Sequence, residues 1–412
     1  MNRIIIVVLL FLFQIVPSSA QDTLRIASYN CLKFPESSSQ IRIPHFRTVV
    51  NAIDPDILVV QELTGAEGVD LFLNDILNSK EAFLYTAAPF EDGPDTDNMI
   101  FFKSRKFSLS SNRQIETSLR EFSEYILRVR INDDMPDLYI YSLHLKAGRD
   151  ETDARQRFRE AQILRKELDE LPSETNFFVA GDFNFYSHQE KGFKTLISAE
   201  NKTGQCFDPI NKIGEWHNNK KFAKYHTQST RTSTLYNGSS GGLDDRFDFI
   251  LVSHALLTVE DFYCLKKTYQ AFGNDGFHMN TNINSGINNA VPDSIANALY
   301  HASDHLPVCV DVVWNDPSSV SHSFHSDSLR VHAFPNPFNQ YTIIEFELPQ
   351  PCLVHASLYN VNGKKVSELS NNYMQSGPHS ISVNASDLSS GLYFCKLNVG
   401  QKIHIEKITL MR

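Results

Sequence analysis

Two short acidic motifs stand where apolar runs meet loops: Gly-Asp-Phe-Asn at 181–184 and Ser-Asp-His-Leu-Pro at 303–307. Strand-end carboxylates beside a histidine are what a divalent cation and a phosphate ester require, so the motifs predict hydrolytic phosphate chemistry. Other strand ends extend the set. Asn30 follows the run 24–28, Glu62 follows 57–60, His144 lies in Ser-Leu-His-Leu-Lys-Ala-Gly, and Asp248 lies in Arg-Phe-Asp-Phe-Ile-Leu. With Asp182, Asn184, Asp304 and His305 they form a set of hard oxygen donors and two histidines. Such donors favour Mg²⁺, or Mn²⁺ or Ca²⁺, over zinc. Histidines beside them move protons near neutral pH.

Taken singly, each residue has a plainer reading. Asn30 and Asn184 suit turns through their side-chain amides, His144 suits a packed position in an amphipathic strand, Glu62 a solvated charge, and Asp304 a turn cap. The set is harder to explain away, because buried charge at several strand ends is costly unless it is paired or coordinated.

The elements that must position these groups are legible in outline. Apolar, β-rich runs at 24–28, 57–60, 99–102, 126–131, 138–145, 177–180, 247–252 and 308–313 alternate in places with helical stretches. The clearest helix covers 153–171, with Ala154, Phe158, Ala161, Leu164, Leu168 and Leu171 on one face and Pro172 after it. Strands outnumber helices, which predicts stacked sheets flanked by helices: an α/β fold built as a four-layer α/β/β/α sandwich. After a polar, Ser-rich linker at 315–329, short alternating segments separated by Asn362-Gly363, Ser376-Gly377-Pro378 and Ser390-Gly391 predict a small all-β sandwich over 330–412.

At 412 residues with 42% hydrophobic content the chain is long enough for two domains and too apolar for disorder. Residues 1–20 read as a signal peptide: Arg3, an apolar run from Ile4 to Phe13, and Ser18-Ser19-Ala20 before the cleavage point. That run falls short of the roughly 20 residues needed to span a bilayer, and no other stretch reaches that length. The six cysteines follow no zinc or Cys-x-x-Cys pattern. Cys31 and Cys309 read as buried small hydrophobes, whereas Cys206 with Cys264 and Cys352 with Cys395 are the pairs to test for disulfides.

The motifs Gln-Glu at 61–62, Ser-Leu-His-Leu-Lys-Ala-Gly at 142–148, Gly-Asp-Phe-Asn, Arg-Phe-Asp-Phe-Ile-Leu at 246–251 and Ser-Asp-His-Leu-Pro occur in this order. Over residues 22–314 the chain thereby resembles the endonuclease/exonuclease/phosphatase superfamily, with its deoxyribonuclease-I-like fold. The resemblance implies that Asn30 and Glu62 help bind the cation and phosphate, with Asp304 near the same metal. It implies that Asp182 and Asn184 orient the attacking water and the scissile phosphate. His305 paired with Asp248 becomes an acid/base group, and His144 a second histidine that stabilises the phosphorane. Leu32 departs from the pattern of those apurinic-site endonucleases that carry an acid two residues after the asparagine. Residues 331–412, with Phe-Pro-Asn-Pro-Phe-Asn near 334–339 and Leu-Tyr-Asn-Val-Asn-Gly at 358–363, resemble the sorting domain of type IX secretion cargo, which implies the secretion machinery of Gram-negative bacteria as a partner.

The substrate is less constrained. Lys and Arg number 38 against 48 Asp and Glu, a net charge of −10, and an acidic field opposes non-specific nucleic-acid binding. Local basic groups remain: Lys146 and Arg149, Lys220, Lys221 and Lys224 with His226, and Arg231 as a phosphate contact or, equally, a solvated surface arginine. The Asn- and Gly-rich segment 273–297 is expected to overhang the site and shape the substrate. The leading expectation is an exported Mg²⁺-dependent phosphodiesterase acting on DNA or RNA. The alternatives are a sphingomyelinase-like or inositol-phosphate hydrolase, and a catalytically silent surface-binding module.

Overall fold

The computed structural model describes residues 22–36, 39–130, 136–200, 203–258, 262–314, 331–348, 352–375, 377–399 and 402–411. The expected signal peptide and linker lie outside them. The chain forms two compact units. The first runs through β1 (Asp22–Phe34), α1 (Ser39–Ile53), β2 (Ile57–Leu63), α2 (Gly65–Leu71), β3 (Tyr85–Ala87), β4 (Asp97–Lys103), β5 (Phe107–Ile115), β6 (Phe122–Val129) and β7 (Leu138–His144). It continues through α3 (Glu151–Asp169), β8 (Phe177–Asp182), α4 (Lys191–Ile197), β9 (Asp248–Val252), α5 (Ala255–Thr258), β10 (Phe262–Ala271), α6 (Asp293–Ala302) and β11 (Val308–Trp314).

These strands make a six-stranded sheet ordered β10-β11-β1-β2-β4-β3 and a five-stranded sheet ordered β5-β6-β7-β8-β9. Strand residues alternate between faces, and the alternation shows the layers. In β8, Phe178 and Ala180 join the core between the sheets, whereas Phe177 and Val179 join a second core under α3 and α4. β9 repeats this, with Ile250 and Val252 inward and Phe249 and Leu251 outward. On the other sheet Tyr29 packs edge-on against Phe46 of α1, and α1 lies against α6. The result is the α/β/β/α sandwich expected. The helix expected at 153–171 is found as α3, whose Ala161, Leu164 and Leu168 are buried.

The second unit holds β12 (Val331–Phe334), β13 (Tyr341–Leu348), β14 (Cys352–Asn360), β15 (Lys365–Met374), β16 (Gly377–Asn384), β17 (Gly391–Val399) and β18 (Lys402–Leu410). They form antiparallel sheets ordered β12-β13-β16 and β15-β14-β17-β18 around Ile344, Phe346, Val354, Leu358, Val383, Cys395 and Ile408. This is a small all-β domain.

Cys206 and Cys264 are both free, so the first disulfide to be tested does not form. The reason is their layer: Cys206 lies in the core under α3 and α4, Cys264 in the core of the other sheet. Cys395 is also a free buried thiol, and the side chain of Cys352 lies outside the described set. Cys31 and Cys309 are buried within strands as small hydrophobes.

Candidate active site

β7 and β8 run parallel and β8 and β9 antiparallel, in a register that sets His144 opposite Asp182 and Asp182 opposite Asp248. Opposed residues share a face, so these three side chains form one row at the sheet rim. Alternation with Ile140, Ala180 and Ile250 turns that row toward the other sheet. There β1 and β2 are parallel, with Asn30 opposite Gln61. Glu62 has a positive φ of 61°, a left-handed conformation that costs about 1–2 kcal/mol in a residue with a Cβ. It interrupts the alternation of β2 and brings Glu62 into the cavity, while Gln61 stays buried behind it.

Asn30 joins the two sheets. Its amide nitrogen donates to Glu62 Oε1 at 2.9 Å and to Asp182 Oδ2 at 3.1 Å, while its oxygen accepts Leu32 N–H at 3.0 Å. Beside it, Ser28 Oγ donates to Gln61 Oε1 at 3.4 Å and Gln61 Nε2 to Ser142 Oγ at 3.2 Å, a second buried link between the sheets. Asn184, also at positive φ, donates its N–H to Asp182 Oδ1 and its amide to Leu145 O. The segment from α6 to β11 supplies the remaining groups. Ser303 Oγ donates to Asn30 O at 2.7 Å, Asp304 Oδ2 accepts Ser239 N–H at 2.6 Å, and His305 Nδ1 lies 2.7 Å from Asp248 Oδ2.

The cavity so formed has a volume of about 430 Å³ and is lined by Glu62, His144, Asp182, Asn184, Asp304 and His305 together with Arg120, Gln228 and Tyr186. Its electrostatics divide the histidines. Burial, then the positive charges of Arg120, His305 and Lys146, holds His144 well below the usual range, so it is neutral. Burial also acts to lower His305, but Asp248 and Asp182 outweigh it and hold its proton well above the usual range. Two imidazoles in one cavity therefore differ in charge, which separates their acid and base roles.

The carboxylates repel one another. Burial, then Asp304, raises Glu62; burial raises Asp182 against the opposing charge of His305, and with Asp248 and Glu62 adding to the rise it reaches about 7. Glu62, His144 and Asp182 each offer a ligand atom within 4.8 Å of the others. Clustered buried carboxylates are tolerated when a cation compensates them, and their oxygen atoms fit a hard divalent ion.

Residues 27–268 match the model of the endonuclease/exonuclease/phosphatase family. The chain belongs to this family. A second model, the secretion-system C-terminal sorting domain, matches residues 332–411. Among solved structures, an endonuclease/exonuclease/phosphatase family protein from Bacteroides thetaiotaomicron is 16% identical, with 72% of this chain and 99% of that chain covered and a TM-score of 0.46. TDP2 of D. rerio complexed with a single-strand DNA product is 15% identical over 71% of this chain and 99% of its own, with a TM-score of 0.49. A mannosyl-6-phosphatase of Bacteroides thetaiotaomicron is 18% identical over 71% and 100%, with a TM-score of 0.43. No curated protein matches the chain significantly.

The structure brings Asn30, Glu62, His144, Asp182, Asn184, Asp248, Asp304 and His305 together at or beside the cavity. Three other expectations need correction. Arg231 is fully buried, gives Nη1 to Tyr300 O at 2.8 Å and Nη2 to Leu235 O at 3.1 Å, and does not line the cavity; its guanidinium ties loops together. Lys146 turns away to Asp153, at 3.2 Å, and to Ala147 O, because the acidic first turn of α3 lies beside it. Segment 273–297 contributes no cavity residue. It backs the 226–243 segment instead, through Asn274 to His226 O, Asn280 N–H to Leu243 O, and Ile283 N–H to Thr230 O.

Gln228, Asn237, Gly238 and Ser239 line the cavity where that segment was expected. Gln228 meets His305 Nε2 at 2.5 Å. Arg120 and its partner Asp95 also went unforeseen, since nothing in a turn such as Ser-Leu-Arg-Glu marks an arginine as facing a site 24 residues before its histidine. Among the described residues no helix is long and apolar enough to cross a membrane.

Proposed function

We propose that the protein is an exported, Mg²⁺-dependent phosphodiesterase that hydrolyses DNA or RNA by in-line attack of water. The observation that carries this reading is the row His144–Asp182–Asp248, closed by His305 and faced by Glu62 and Asp304. A phosphate ester in the cavity meets an orienting carboxylate, a charged imidazole and a neutral one together. Asp182 and Asn184 orient the water and the scissile phosphate. His305, its ring fixed by Asp248, exchanges a proton at Nε2. His144 stabilises the charge growing on the phosphoryl oxygens. Glu62 and Asp304, with Asn30 beside them, hold the cation. When bound, Mg²⁺, or Mn²⁺ or Ca²⁺ in its place, neutralises charge on a non-bridging oxygen. Water attacks phosphorus directly, so no covalent enzyme intermediate is needed.

The sorting domain implies export to the cell surface or beyond. We take residues 21–314 as the catalytic domain, 315–329 as linker and 330–412 as the sorting domain, with the signal peptide removed after Ala20 and the type IX machinery of a Gram-negative bacterium as partner.

One observation favours a second reading, a small sugar- or inositol-phosphate ester. The cavity wall offers the amides and hydroxyls of Gln228, Asn237, Ser239 and Thr96, with Lys33 and Arg120 its cations. Such a wall suits polyol hydroxyls better than a long anionic strand. The mature chain should cleave plasmid DNA or RNA with Mg²⁺ and stop with chelator. Activity confined to inositol or sugar phosphates would select the second reading, and inactivity on all of them would leave a surface-binding module.

A further inference from the structure

Gln228 stands against the ring atom to which the reading above gives proton exchange. Its carboxamide meets His305 Nε2 at 2.5 Å, while Asp248 holds Nδ1 on the other side of the ring, and among the described residues its side chain has no other hydrogen-bond partner. The Asp248 carboxylate fixes a proton on Nδ1, so Nε2 is left with room for one in-plane hydrogen bond. A carboxamide can turn either its oxygen or its amide nitrogen to such an atom, so Gln228 can occupy Nε2 whether or not it carries a proton. The other neighbour of Nε2, Asp182 Oδ2, lies at 3.7 Å, beyond hydrogen-bond distance.

The backbone behind that side chain is strapped down. Gln228 N–H donates to Asp245 O at 3.2 Å, and Gln228 O accepts Asp244 N–H at 2.9 Å and Asp245 N–H at 3.0 Å. Its neighbour Thr227 accepts Leu306 N–H at its carbonyl, at 2.7 Å, and the N–H groups of Phe247 and Asp248 at Oγ1, each at 3.2 Å. Further on, Thr230 N–H donates to Asp304 O at 3.0 Å. The segment is thus tied to the stretches of chain that carry both Asp248 and His305, and only rotation about the side-chain bonds of Gln228 can carry the amide away. The side chain is half-buried and lines the cavity of about 430 Å³, so it has open volume to turn into.

We propose that Gln228 is a positioning residue that competes with the substrate for His305: its carboxamide holds Nε2 before substrate binds, and an oxygen of the entering phosphate ester displaces it and takes the same position. This rests on the phosphate-ester reading above and adds to it a competitor built into the cavity wall. The amide keeps the ring held at both ends between turnovers, and substrate affinity is lower for it.

The test uses the full mature chain with Mg²⁺ and two probes: inorganic phosphate titrated by calorimetry, and a chromogenic phosphodiester assayed for turnover. Gln228→Ala should bind phosphate about 10-fold more tightly, the effect of one hydrogen bond that no longer has to be broken, and should lower KM by a similar factor. Its kcat should fall a few-fold as well, because Asp248 alone then holds the ring. Gln228→Met, of nearly the same length but without the amide, should do the same. Gln228→Glu should weaken phosphate binding instead, since a carboxylate holds Nε2–H more firmly and repels the anion. In a His305→Ala background, where there is no Nε2 to compete for, Gln228→Ala should leave phosphate affinity unaltered.

Phosphate binding that is unchanged, weaker or absent in Gln228→Ala would overturn the proposal while leaving the hydrolase reading intact, for the amide would then be a wall group or a direct ligand. Tighter binding that persists in full in the His305→Ala background would overturn it too, because the competition would not be for that ring. Should Gln228→Ala not fold, Gln228→Met decides by the same sign. A wild-type chain inert on every phosphate ester would instead defeat the hydrolase reading, and the phosphate titration alone would then judge Gln228.

Discussion

His305 Nδ1 lies 2.7 Å from Oδ2 of Asp248, and the second oxygen of that carboxylate has no partner. The full charge of Asp248 is thus directed at one ring, which leaves Nε2 facing Gln228 at 2.5 Å and Asp182 Oδ2 at 3.7 Å. Asp248→Asn keeps the shape but offers an amide that can stabilise the wrong tautomer. Turnover should fall about 1,000-fold, and the pH optimum should move, because the His305 proton loses its largest stabilising charge. A pH–rate profile superimposable on wild type would show that Asp248 does not govern His305.

Cation binding should release protons. Asp182 is pushed up to about 7 by burial and by its carboxylate neighbours, so below that value the cation-free protein holds a proton there. A positive ion in the cavity expels it. Calorimetry of Mg²⁺ binding in buffers of different ionisation enthalpy should show proton release at pH 6 that vanishes by about pH 8.5. The same sign governs stability. With its folded pKa above the unfolded one, Asp182 contributes stability that is lost as pH rises from about 4 through about 7. Added Mg²⁺ should remove that contribution to the pH dependence.

Gly238 sits where a Cβ would meet Leu32 Cδ2 at 2.7 Å, Arg231 Nη2 at 2.9 Å and Asp304 Oδ2 at 3.0 Å. Gly238→Ala should displace Asp304 or its loop. We expect Mg²⁺ affinity to weaken about 10-fold, comparable to the loss of a ligand-orienting contact, with the melting temperature within a few degrees of wild type. Unchanged affinity would separate this loop from the cation position.

Gly181 precedes Asp182 at φ 151°, with the backbone of Leu143 on the neighbouring parallel strand filling the space a side chain would take. Gly181→Ala should destabilise the first unit by about 3 kcal/mol or more in urea unfolding, because backbone rather than a flexible side chain must yield. A loss under about 1 kcal/mol would mean that β7 and β8 separate readily.

The proposed reacting groups were legible because each stands at or near the start or end of an apolar run, and parallel or adjacent strands bring such ends to one rim. What escaped was set by tertiary packing. β5 and β10 carry Ser, Asn, Lys and Thr, since edge strands need bury little, so neither stood out as a run. β15 was missed for the same reason in the second unit. Arg42 looks like a helix-surface residue, yet it is buried and donates to the carbonyls of Leu32, Cys31 and Ala302, which joins α1 to both ends of the site. Arg231 was misjudged likewise, since composition favours a wet arginine. Segment 273–297 precedes Asp304 in sequence, but the wall position was taken by residues 237–239.

The buried run Ser28–Gln61–Ser142 acts as a ruler. Half of the proposed reacting set belongs to one sheet and half to the other, and two greasy surfaces alone would let the halves glide. An uncharged amide wedged between two hydroxyls gives that gap a definite width without adding to the negative potential beside it. The breadth of the cleft is therefore set one layer beneath the chemistry, by groups that never meet the substrate.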